Sequence, residues 1–209
     1  MHTNSILLFE KYAKPALKVG MKVLEVGPNS FPSTYQRLSD ELSLEWHTLD
    51  IYDSPKLTYP NSAEYNFPIP NNSYDIVLSG QVIEHVKKPW RWVPELARVT
   101  KPEGFIIIIG PVSWVYHEAP VDCWRIYPEG MKALYEEAGI TVLMSRWESL
   151  EAPNYKRYWP GVSKEGQSSR KQIINKIFGK FGFPVERSYD TITIGRKDAN
   201  AGPGAVVSG

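Results

Sequence analysis

The sequence predicts a single α/β domain built on a mostly parallel sheet with helices on both faces. The main observation is that short apolar runs, typical of buried strands, alternate along the chain with segments of helical periodicity. The second is the length, because 209 residues suffice for one such domain with a substantial core. The composition, with 42% hydrophobic and 22% charged residues, is that of an ordinary globular protein.

The elements follow one another as strand, helix, strand. Apolar runs predict strands at 23–26, 45–50, 76–78, 105–109, 141–144 and 190–195, with a further short strand near 62–67 in a proline-containing stretch. Helices are predicted between the strands, and their starts, apolar faces or ends are marked by Ser33, Gln36, Trp92, Leu96, Val99, Pro128 and Gly139.

Composition excludes several classes of protein. A single cysteine, Cys123, excludes an intramolecular disulfide and a multi-cysteine metal site, and we see no other metal-ligand spacing, so no metal is expected. The apolar run from Ile6 to Phe9 is too short for a secretory signal, and no segment is long enough to span a bilayer. We therefore expect a cytoplasmic protein without integral membrane association.

Charge is unevenly distributed. The segment 155–187 carries a net charge of +6 and the remainder −5. Without a nucleic-acid-binding motif, this basic block does not predict a nucleic-acid partner. Most of the basic block falls in an expected insertion, residues 151–186, which contains an amphipathic helix. This helix could form a lid, pack on the sheet, or lie at a membrane surface or a dimer interface. We therefore expect a monomer or a homodimer. The apolar stripe of the helix consists of Ile173, Ile174, Ile177, Phe178 and Phe181.

The first strand runs into the segment VLEVGPNSFP, residues 23–32, just before the first predicted helix. An acidic residue, Glu25, and a glycine, Gly27, therefore lie at the carboxyl edge of the sheet, where α/β proteins bind ligands. A full G-x-G-x-x-G is absent, but Asn29 can adopt the left-handed backbone conformation that such a turn uses. An ordinary strand-to-helix turn is the alternative.

Asp50 ends the second predicted strand, 23 residues after Gly27. An acidic side chain at this place can accept hydrogen bonds from both hydroxyls of a ribose, which favours a cofactor that contains a nucleoside. The missing glycines argue against the pyrophosphate of a nicotinamide dinucleotide.

Two longer motifs, PIPNNSYDIVLSGQVIEHV at 68–86 and ELARVTKPEGFIIIIGP at 95–111, complete the pattern. Here the sequence resembles the class I S-adenosylmethionine-dependent methyltransferases, in particular the type 11-like subgroup with a P-x-P turn, a D-x-V strand, an E-H pair and an R-V-x-K-P-G-G turn. The resemblance covers residues 22–139. It implies a Rossmann-like seven-stranded sheet with the last strand antiparallel, so that residues 1–198 form one methyltransferase domain, and the Gly-rich residues 199–209 are expected to be disordered.

The resemblance also implies a cofactor site for S-adenosylmethionine, with S-adenosylhomocysteine as product. Asp50 would hold the ribose, and Gln81 would face the transferred methyl group as a catalytic residue. The family's adenine-binding acid aligns with Ala63, and Glu64 stands beside it. The cofactor residues predicted in this way are Glu25, Gly27, Pro28, Asn29, Asp50, Ile51, Glu64, Ser79, Gly80 and Gln81.

Glu84 and His85 form the E-H pair, which is either a structural cap and packing pair or a direct participant. The stretch PVSWVYHEAPVDCWRIYPEGM, residues 111–131, resembles the H-x-x-P-x-D-x-x-R stretch of methyltransferases associated with glycans and specialised metabolites. We predict His117 as the catalytic base, oriented by Asp122 or Glu118. The acceptor-binding residues predicted are His85, Trp114, Tyr116, Arg125 and Tyr155; alternatively, Asp122 and Arg125 form an ion pair that fixes the loop.

The sequence therefore predicts a methyltransferase acting on a small-molecule or sugar-like acceptor that can be anionic, most simply by O-methylation. N-methylation, a non-catalytic binding protein with the methyltransferase fold, and a nucleotide-dependent oxidoreductase are the alternatives.

Overall fold

The computed structural model describes residues 3–118, 120–151, 173, 177 and 188–199. The chain begins with a helical segment that the sequence pattern did not predict: α1 (Thr3–Leu8), a π-helix (Phe9–Ala13) and a 3-10 helix (Lys14–Ala16). The strands are β1 (Lys22–Val26), β2 (Glu45–Leu49), β3 (Tyr74–Gly80), β4 (Thr100–Pro111), β5 (Ile140–Glu148) and β6 (Asp190–Lys197). The remaining helices are α2 (Thr34–Arg37), α3 (Pro89–Val99) and α4 (Pro128–Glu137), with 3-10 turns at Asp40–Leu42 and Ile83–His85.

The described strands form one six-stranded sheet in the order β2-β1-β3-β4-β6-β5. The first four strands are parallel, whereas β6 runs antiparallel to both of its neighbours, β4 and β5. The mixed α/β Rossmann-like fold and the antiparallel last strand are therefore confirmed.

The predicted short strand near 62–67 is not a strand. Within the described residues this stretch contributes only an isolated bridge between Ala63 and Asn66, while Tyr59 bridges Leu49 nearby. Pro60, Pro68 and Pro70 flank the stretch, and proline lacks the N–H that a ladder requires. The sheet therefore has six described strands where seven were expected.

Alternate strand residues divide the apolar core into two clusters, as expected for strands buried on both faces. Leu24, Val77, Ile106 and Ile108 pack in one cluster, which also contains Trp92 and Leu96 of α3 and Met131 and Tyr135 of α4. Val23, Ile76, Leu78, Ile107 and Ile109 pack in the other, together with Leu8, Phe9 and Leu17 of the N-terminal helical segment and Tyr35 of α2.

Local sequence signals account for the helix starts. The Ser33 hydroxyl caps α2 by accepting a hydrogen bond from the backbone N–H of Gln36 at 3.0 Å, as the capping box predicts. Pro89 and Pro128 stand in the first turns of α3 and α4, where the missing N–H costs nothing. Both helices are thus confirmed.

A pair of charged residues on α3 anchors the P-x-P segment that leads into β3. The Glu95 carboxylate accepts a hydrogen bond from the Phe67 backbone N–H at 2.5 Å and from Arg98 Nη2 at 2.6 Å. Arg98 in turn donates to the carbonyl oxygens of Phe67 and Ile69, at 3.1 and 2.7 Å. Two of the recognised motifs, the P-x-P turn and E-L-x-R-V, therefore stabilise each other by these hydrogen bonds.

Most of the predicted insertion, 151–186, and residues 200–209 of the expected tail lie outside the described residues. Ile173 and Ile177, from the predicted amphipathic helix, are helical and exposed. Within the described part of the chain, no helix has the length and apolarity that a membrane span requires.

Candidate active site

A cavity of about 620 Å³ opens at the carboxyl ends of β1, β2 and β3, where parallel sheets bind ligands. Three segments build most of its wall. The strand ends supply Val26, Gly27, Leu49 and Asp50, the turn after β3 supplies Gln81, Val82, Glu84 and His85, and the segment after β4 supplies Trp114, His117, Pro120 and Val121.

Gly27 brings the backbone of the β1 turn close to the cavity. Its φ of +76° favours glycine, and a Cβ atom at this position would lie 2.3 Å from Cγ2 of Val82. The backbone N–H of Gly27 donates to the Leu49 carbonyl at 2.9 Å, which joins the ends of β1 and β2. Any larger residue would therefore displace the turn after β3 from the cavity wall.

Asp50, Ile51 and Glu64 line the same cavity as Gly27. Burial raises the pKa of the Asp50 carboxyl, although the backbone N–H of Tyr52, at 3.3 Å, and that of Ile51 oppose the shift. These residues place two carboxyl groups in the cavity wall, where they could accept hydrogen bonds from hydroxyl or amine groups of a ligand.

Glu25 lies behind the wall of the cavity. Its carboxylate accepts hydrogen bonds from the Ser33 hydroxyl at 2.5 Å and from Trp46 Nε1 at 2.9 Å, and the residue is 1% exposed. Burial raises the Glu25 pKa to about 7, while both hydrogen bonds lower it. In this arrangement Glu25 joins β1, α2 and β2 and does not line the cavity.

Ser79 and Gly80, also predicted as cofactor residues, serve packing in the described structure. The Ser79 hydroxyl donates to the Val26 carbonyl at 2.9 Å, bridging β3 and β1. A Cβ on Gly80 would lie 2.3 Å from the hydroxyl of Tyr35, so the absence of a side chain makes room for that ring. Within the described chain, neither residue lines the cavity.

Pro28 and Asn29 continue the β1 turn but do not belong to the described cavity wall. Asn29 is not among the described residues with positive φ, so the turn is not made by a left-handed asparagine. Its amide oxygen accepts the backbone N–H of Thr34 at 3.1 Å, and its amide nitrogen donates to the Thr34 hydroxyl at 3.0 Å. Asn29 therefore supports the start of α2.

Gln81 lines the cavity in a strained backbone conformation, with φ +62°. Its backbone N–H donates to the Ile109 carbonyl at 2.7 Å, and its side-chain Nε2 donates to Oδ1 of the buried Asp190 at 3.1 Å. Asn4 of α1 donates to the other oxygen of Asp190 at 2.6 Å. A hydrogen-bonded chain thus holds Gln81 in place from the N-terminal helix.

His85 and His117 meet in the wall of the cavity. Their rings lie 5.0 Å apart, nearly perpendicular, although the residues come from different segments. The His85 Nδ1 contacts the Val121 carbonyl at 2.5 Å, and the His117 Nδ1 contacts the Val115 carbonyl at 3.1 Å. Because a carbonyl only accepts, each Nδ1 carries a proton, and in the neutral rings Nε2 has the lone pair.

Asp122 and Arg125 form an ion pair beside these rings and lie outside the described cavity wall. Asp122 accepts the backbone N–H of His117 at 2.9 Å, and its carboxylate is 3.5 Å from His117 Nδ1. The interpretation of Asp122 and Arg125 as a loop-fixing ion pair is thus the one that the geometry favours. Arg125 also donates to the carbonyl oxygen of Trp124 at 2.9 Å, so its guanidinium is committed to the loop.

Glu84, in the turn after β3, contributes an unusual carboxyl group to the same cavity wall. Burial, with small contributions from Asp190 and Asp122, raises its pKa to about 8, while its own backbone N–H and Arg125 oppose the shift. Its side chain does not cap the turn: both oxygens lack a hydrogen-bond partner within the described residues. The structural-cap interpretation of the E-H pair is therefore not what the contacts support.

Of the other predicted acceptor residues, Trp114 lines the cavity, whereas Tyr116 is 70% exposed and donates its hydroxyl to Glu118 at 2.7 Å. Glu118 is thereby directed away from the role of orienting His117. Tyr155 lies outside the described residues.

Several wall residues escaped the sequence analysis, including Val82, Trp92 and Val121. Trp92 was recognised only as part of an apolar helix face, and that signal does not distinguish a core residue from a pocket residue. The position of Val82 against Gly27 and of Val121 against His85 depends on contacts between distant segments.

Comparison with known proteins supports the motif-based recognition. Residues 43–108 match the family described as "Methyltransferase domain". An uncharacterized methyltransferase of Mycobacteroides abscessus is 44% identical over 54 residues, which is 26% of this chain and 21% of that protein. The sequence match thus spans about a fifth of that relative's length.

Two solved structures show the fold. A S-adenosylmethionine-dependent methyltransferase from Archaeoglobus fulgidus superposes with a TM-score of 0.63 at 19% identity, covering 93% of this chain and 95% of that one. Phosphoethanolamine N-methyltransferase 2 of Haemonchus contortus, in complex with S-adenosyl-L-methionine, gives a TM-score of 0.59 at 13% identity, covering 93% and 52%. The predicted resemblance is confirmed: the chain matches the methyltransferase-domain family over residues 43–108 and shares the fold of these two methyltransferases.

Proposed function

We propose that this protein is a methyltransferase that uses S-adenosylmethionine to methylate a small-molecule acceptor, and that the product of the cofactor is S-adenosylhomocysteine. The observation that carries the proposal is one cavity whose wall combines Gly27 and Asp50, at the ends of β1 and β2, with the imidazoles of His85 and His117. The sequence match to the methyltransferase-domain family supports it.

The residues present fit the cofactor. The side-chain-free turn at Gly27 lets backbone approach a ligand closely, and the Asp50 carboxylate can accept hydrogen bonds from ribose hydroxyls. Glu64 offers a second acceptor near the apolar side chain of Phe67, in keeping with adenine recognition. When bound, the cofactor would supply an electrophilic methyl group on a sulfonium.

We assign the part of the cavity beside His85 and His117 to the acceptor and call it the acceptor end. Gln81, held in place by Asp190, also lines the cavity, and Trp114 adds an aromatic side chain to its wall. Displacement at a methyl group depends mostly on alignment, but a hydroxyl nucleophile must also lose a proton. In His85 and His117 it is Nδ1 that contacts a backbone carbonyl, so Nε2 of each ring can accept the proton of an acceptor hydroxyl. O-methylation is therefore the reaction we favour.

Ligand binding tests the cofactor assignment. S-adenosylmethionine and S-adenosylhomocysteine should each raise the melting temperature, since a ligand that prefers the native state stabilises it, and NAD should not. Stabilisation by NAD alone would instead support the oxidoreductase alternative.

Transfer of labelled methyl groups into a metabolite extract tests the activity. A labelled product that resists mild hydrolysis of esters and carries an O-methyl group would support O-methylation. An N-methyl product would select the alternative suggested by the Haemonchus enzyme's name, and cofactor binding without any transfer would indicate a non-catalytic binding protein.

A further inference from the structure

Three potential metal-ligand atoms converge at the acceptor end of the cavity. A carboxylate oxygen of Glu84 and one ring nitrogen each of His85 and His117 all lie within 4.8 Å of one another. Glu84 Oε1 and His85 Nε2 lie 3.7 Å apart. All three residues belong to the cavity wall, so an ion at this place would face the acceptor space.

The Glu84 carboxyl group lacks the partners that a buried carboxyl normally has. Its side chain is 1% exposed, and within the described residues neither oxygen accepts a hydrogen bond. Leaving a buried carboxyl without a partner is costly, and such groups are commonly paired or bound to metal ions. The carbonyl oxygen of the same residue, by contrast, accepts the backbone N–H of Cys123 at 2.7 Å.

Both imidazoles are oriented as metal ligands are. In metal sites, a ligating histidine donates its other ring N–H to a carbonyl or carboxylate, which fixes the ring and leaves the ligating nitrogen deprotonated. Here the Val121 carbonyl receives Nδ1–H of His85 and the Val115 carbonyl receives Nδ1–H of His117. The carboxylate of Asp122, 3.5 Å from His117 Nδ1, also helps to fix the orientation of the His117 ring.

We propose that Glu84, His85 and His117 bind a divalent transition-metal ion at the acceptor end of the cavity. Two imidazoles and one carboxylate suit zinc or iron, and three protein ligands leave coordination positions open. Magnesium prefers oxygen ligands and is not the expected ion. Ligand atoms at zinc distances lie about 3.4 Å apart in a tetrahedral site. The 3.7 Å between Glu84 Oε1 and His85 Nε2 is close to that spacing, and the three ligand atoms, all within 4.8 Å of one another, would move closer together when the ion binds.

The ion would give the proposed function a specific chemistry, and this part of the inference rests on that function. A hydroxyl oxygen bound to a divalent ion loses its proton more readily, which favours an oxygen nucleophile. His117 would then act as a ligand through Nε2 and would not itself be the base. Metal binding does not depend on the methyltransferase activity and is tested without it.

The experiment measures metal binding directly. The full-length chain, with any affinity tag removed, is dialysed against a chelator and titrated with Zn²⁺ in competition with a chromogenic chelator, and with Co²⁺ by its visible ligand-field absorption. We expect one equivalent of either ion to bind, and excess Mg²⁺ not to compete. The variants Glu84→Gln and His117→Ala should weaken binding at least about tenfold.

His47→Asn is the matched control. His47 lies on β2 with Glu45 3.3 Å from its Nε2, so it is a histidine–glutamate pair outside the cavity wall, and its replacement should leave binding unchanged. The proposal would be overturned if the natural protein bound well below one equivalent of metal ion. It would also be overturned if His47→Asn and His117→Ala weakened metal binding equally. His117 is 36% exposed at its side chain, so His117→Ala provides a folded variant even if Glu84→Gln does not fold.

Thermal shift with S-adenosylmethionine on the same metal-free samples separates the two proposals. A stabilised protein that binds no zinc would contradict the metal site and leave the methyltransferase intact. A protein that binds zinc but not the cofactor would contradict the methyltransferase and leave the metal site intact.

Discussion

Arg125 donates two parallel hydrogen bonds to the carboxylate of Asp122, from Nη1 to Oδ1 at 2.5 Å and from Nη2 to Oδ2 at 2.7 Å. The Asp122 side chain is 1% exposed, and the same carboxylate accepts the backbone N–H of His117. The ion pair is therefore the connection between the loop before α4 and the imidazole at the acceptor end. Such two-pronged pairs have strict geometry, which lysine cannot reproduce.

Asp122→Asn should loosen this loop. Removing the charge leaves Arg125 without its carboxylate partner, and we expect the free energy of unfolding to fall by about 2 kcal/mol in chemical denaturation. Glu129→Gln, which removes an exposed ion pair with Lys132, is the control and should have little effect. Equal stability losses in the two variants would contradict a structural role for the Asp122 pair. Affinity for S-adenosylmethionine should not change in either.

Gly27→Ala should disrupt the part of the cavity that we assign to the cofactor. The new Cβ would overlap Cγ2 of Val82, at 2.3 Å, in a backbone conformation that alanine also disfavours. Gly20→Ala separates the two effects, because Gly20 has φ +78° but nothing within 4 Å of an added Cβ. We expect about 1 kcal/mol of destabilisation from the strain in Gly20→Ala and a larger loss in Gly27→Ala, with weaker cofactor binding only in the latter. Similar effects of both variants on cofactor affinity would show that the Val82 contact is unimportant.

Asp50→Asn tests the ribose contact. The amide keeps the shape of the side chain but loses the negative charge and one acceptor, so the dissociation constant for S-adenosylmethionine should rise about tenfold, measured by calorimetry. Asp53→Asn, three residues on and exposed outside the cavity wall, should bind the cofactor as the natural protein does. Unchanged affinity in Asp50→Asn would remove Asp50 from the cofactor site.

Glu25 should make the stability of the protein depend on pH. Burial raises its pKa from the unfolded value near 4.5 to about 7, so between these values the unfolded chain releases a proton that the folded chain retains. The free energy of unfolding should therefore fall as pH rises from about 4.5 to about 7, by up to about 3 kcal/mol from this residue. Denaturant unfolding at several pH values measures it.

Glu25→Gln supplies the comparison, because an amide does not titrate and can accept the same hydrogen bonds from Ser33 and Trp46. Its stability should vary less with pH than that of the natural protein over this range. If both proteins show the same slope, Glu25 is already ionised in the folded state.

The parts of the fold predicted correctly are those governed by neighbours in sequence. The strand β4 contains the continuous apolar run 105–109, α2 begins after the Ser33 cap, and α4 begins at Pro128. The stretch near 62–67 was misread because its composition allowed a strand while its prolines prevented a ladder. The N-terminal helical segment was missed because its π and 3-10 turns break the regular period of an α-helix.

Some of the predicted site residues lie in the cavity wall and others do not, again because sequence patterns describe only local relationships. Position at the end of a strand was enough to place Gly27 and Asp50 on the cavity wall, and the family resemblance placed Gln81 there. It was not enough for Glu25 and Ser79, whose side chains turn to partners on neighbouring elements. Side-chain direction depends on what packs against a strand, and that information is spread over the whole chain.

The sequence by itself determined the alternation of strands and helices from β1 to α4, the methyltransferase motifs and the edge of the sheet that carries them, because these follow from periodicity, turns and short spacings. Only the tertiary structure decided that the carboxyl of Glu84 meets the imidazoles of His85 and His117 in one cavity wall. The reason is physical: the segment after β4 folds back onto the turn after β3, where Cys123 N–H donates to the Glu84 carbonyl, and no local pattern encodes a contact between segments so far apart.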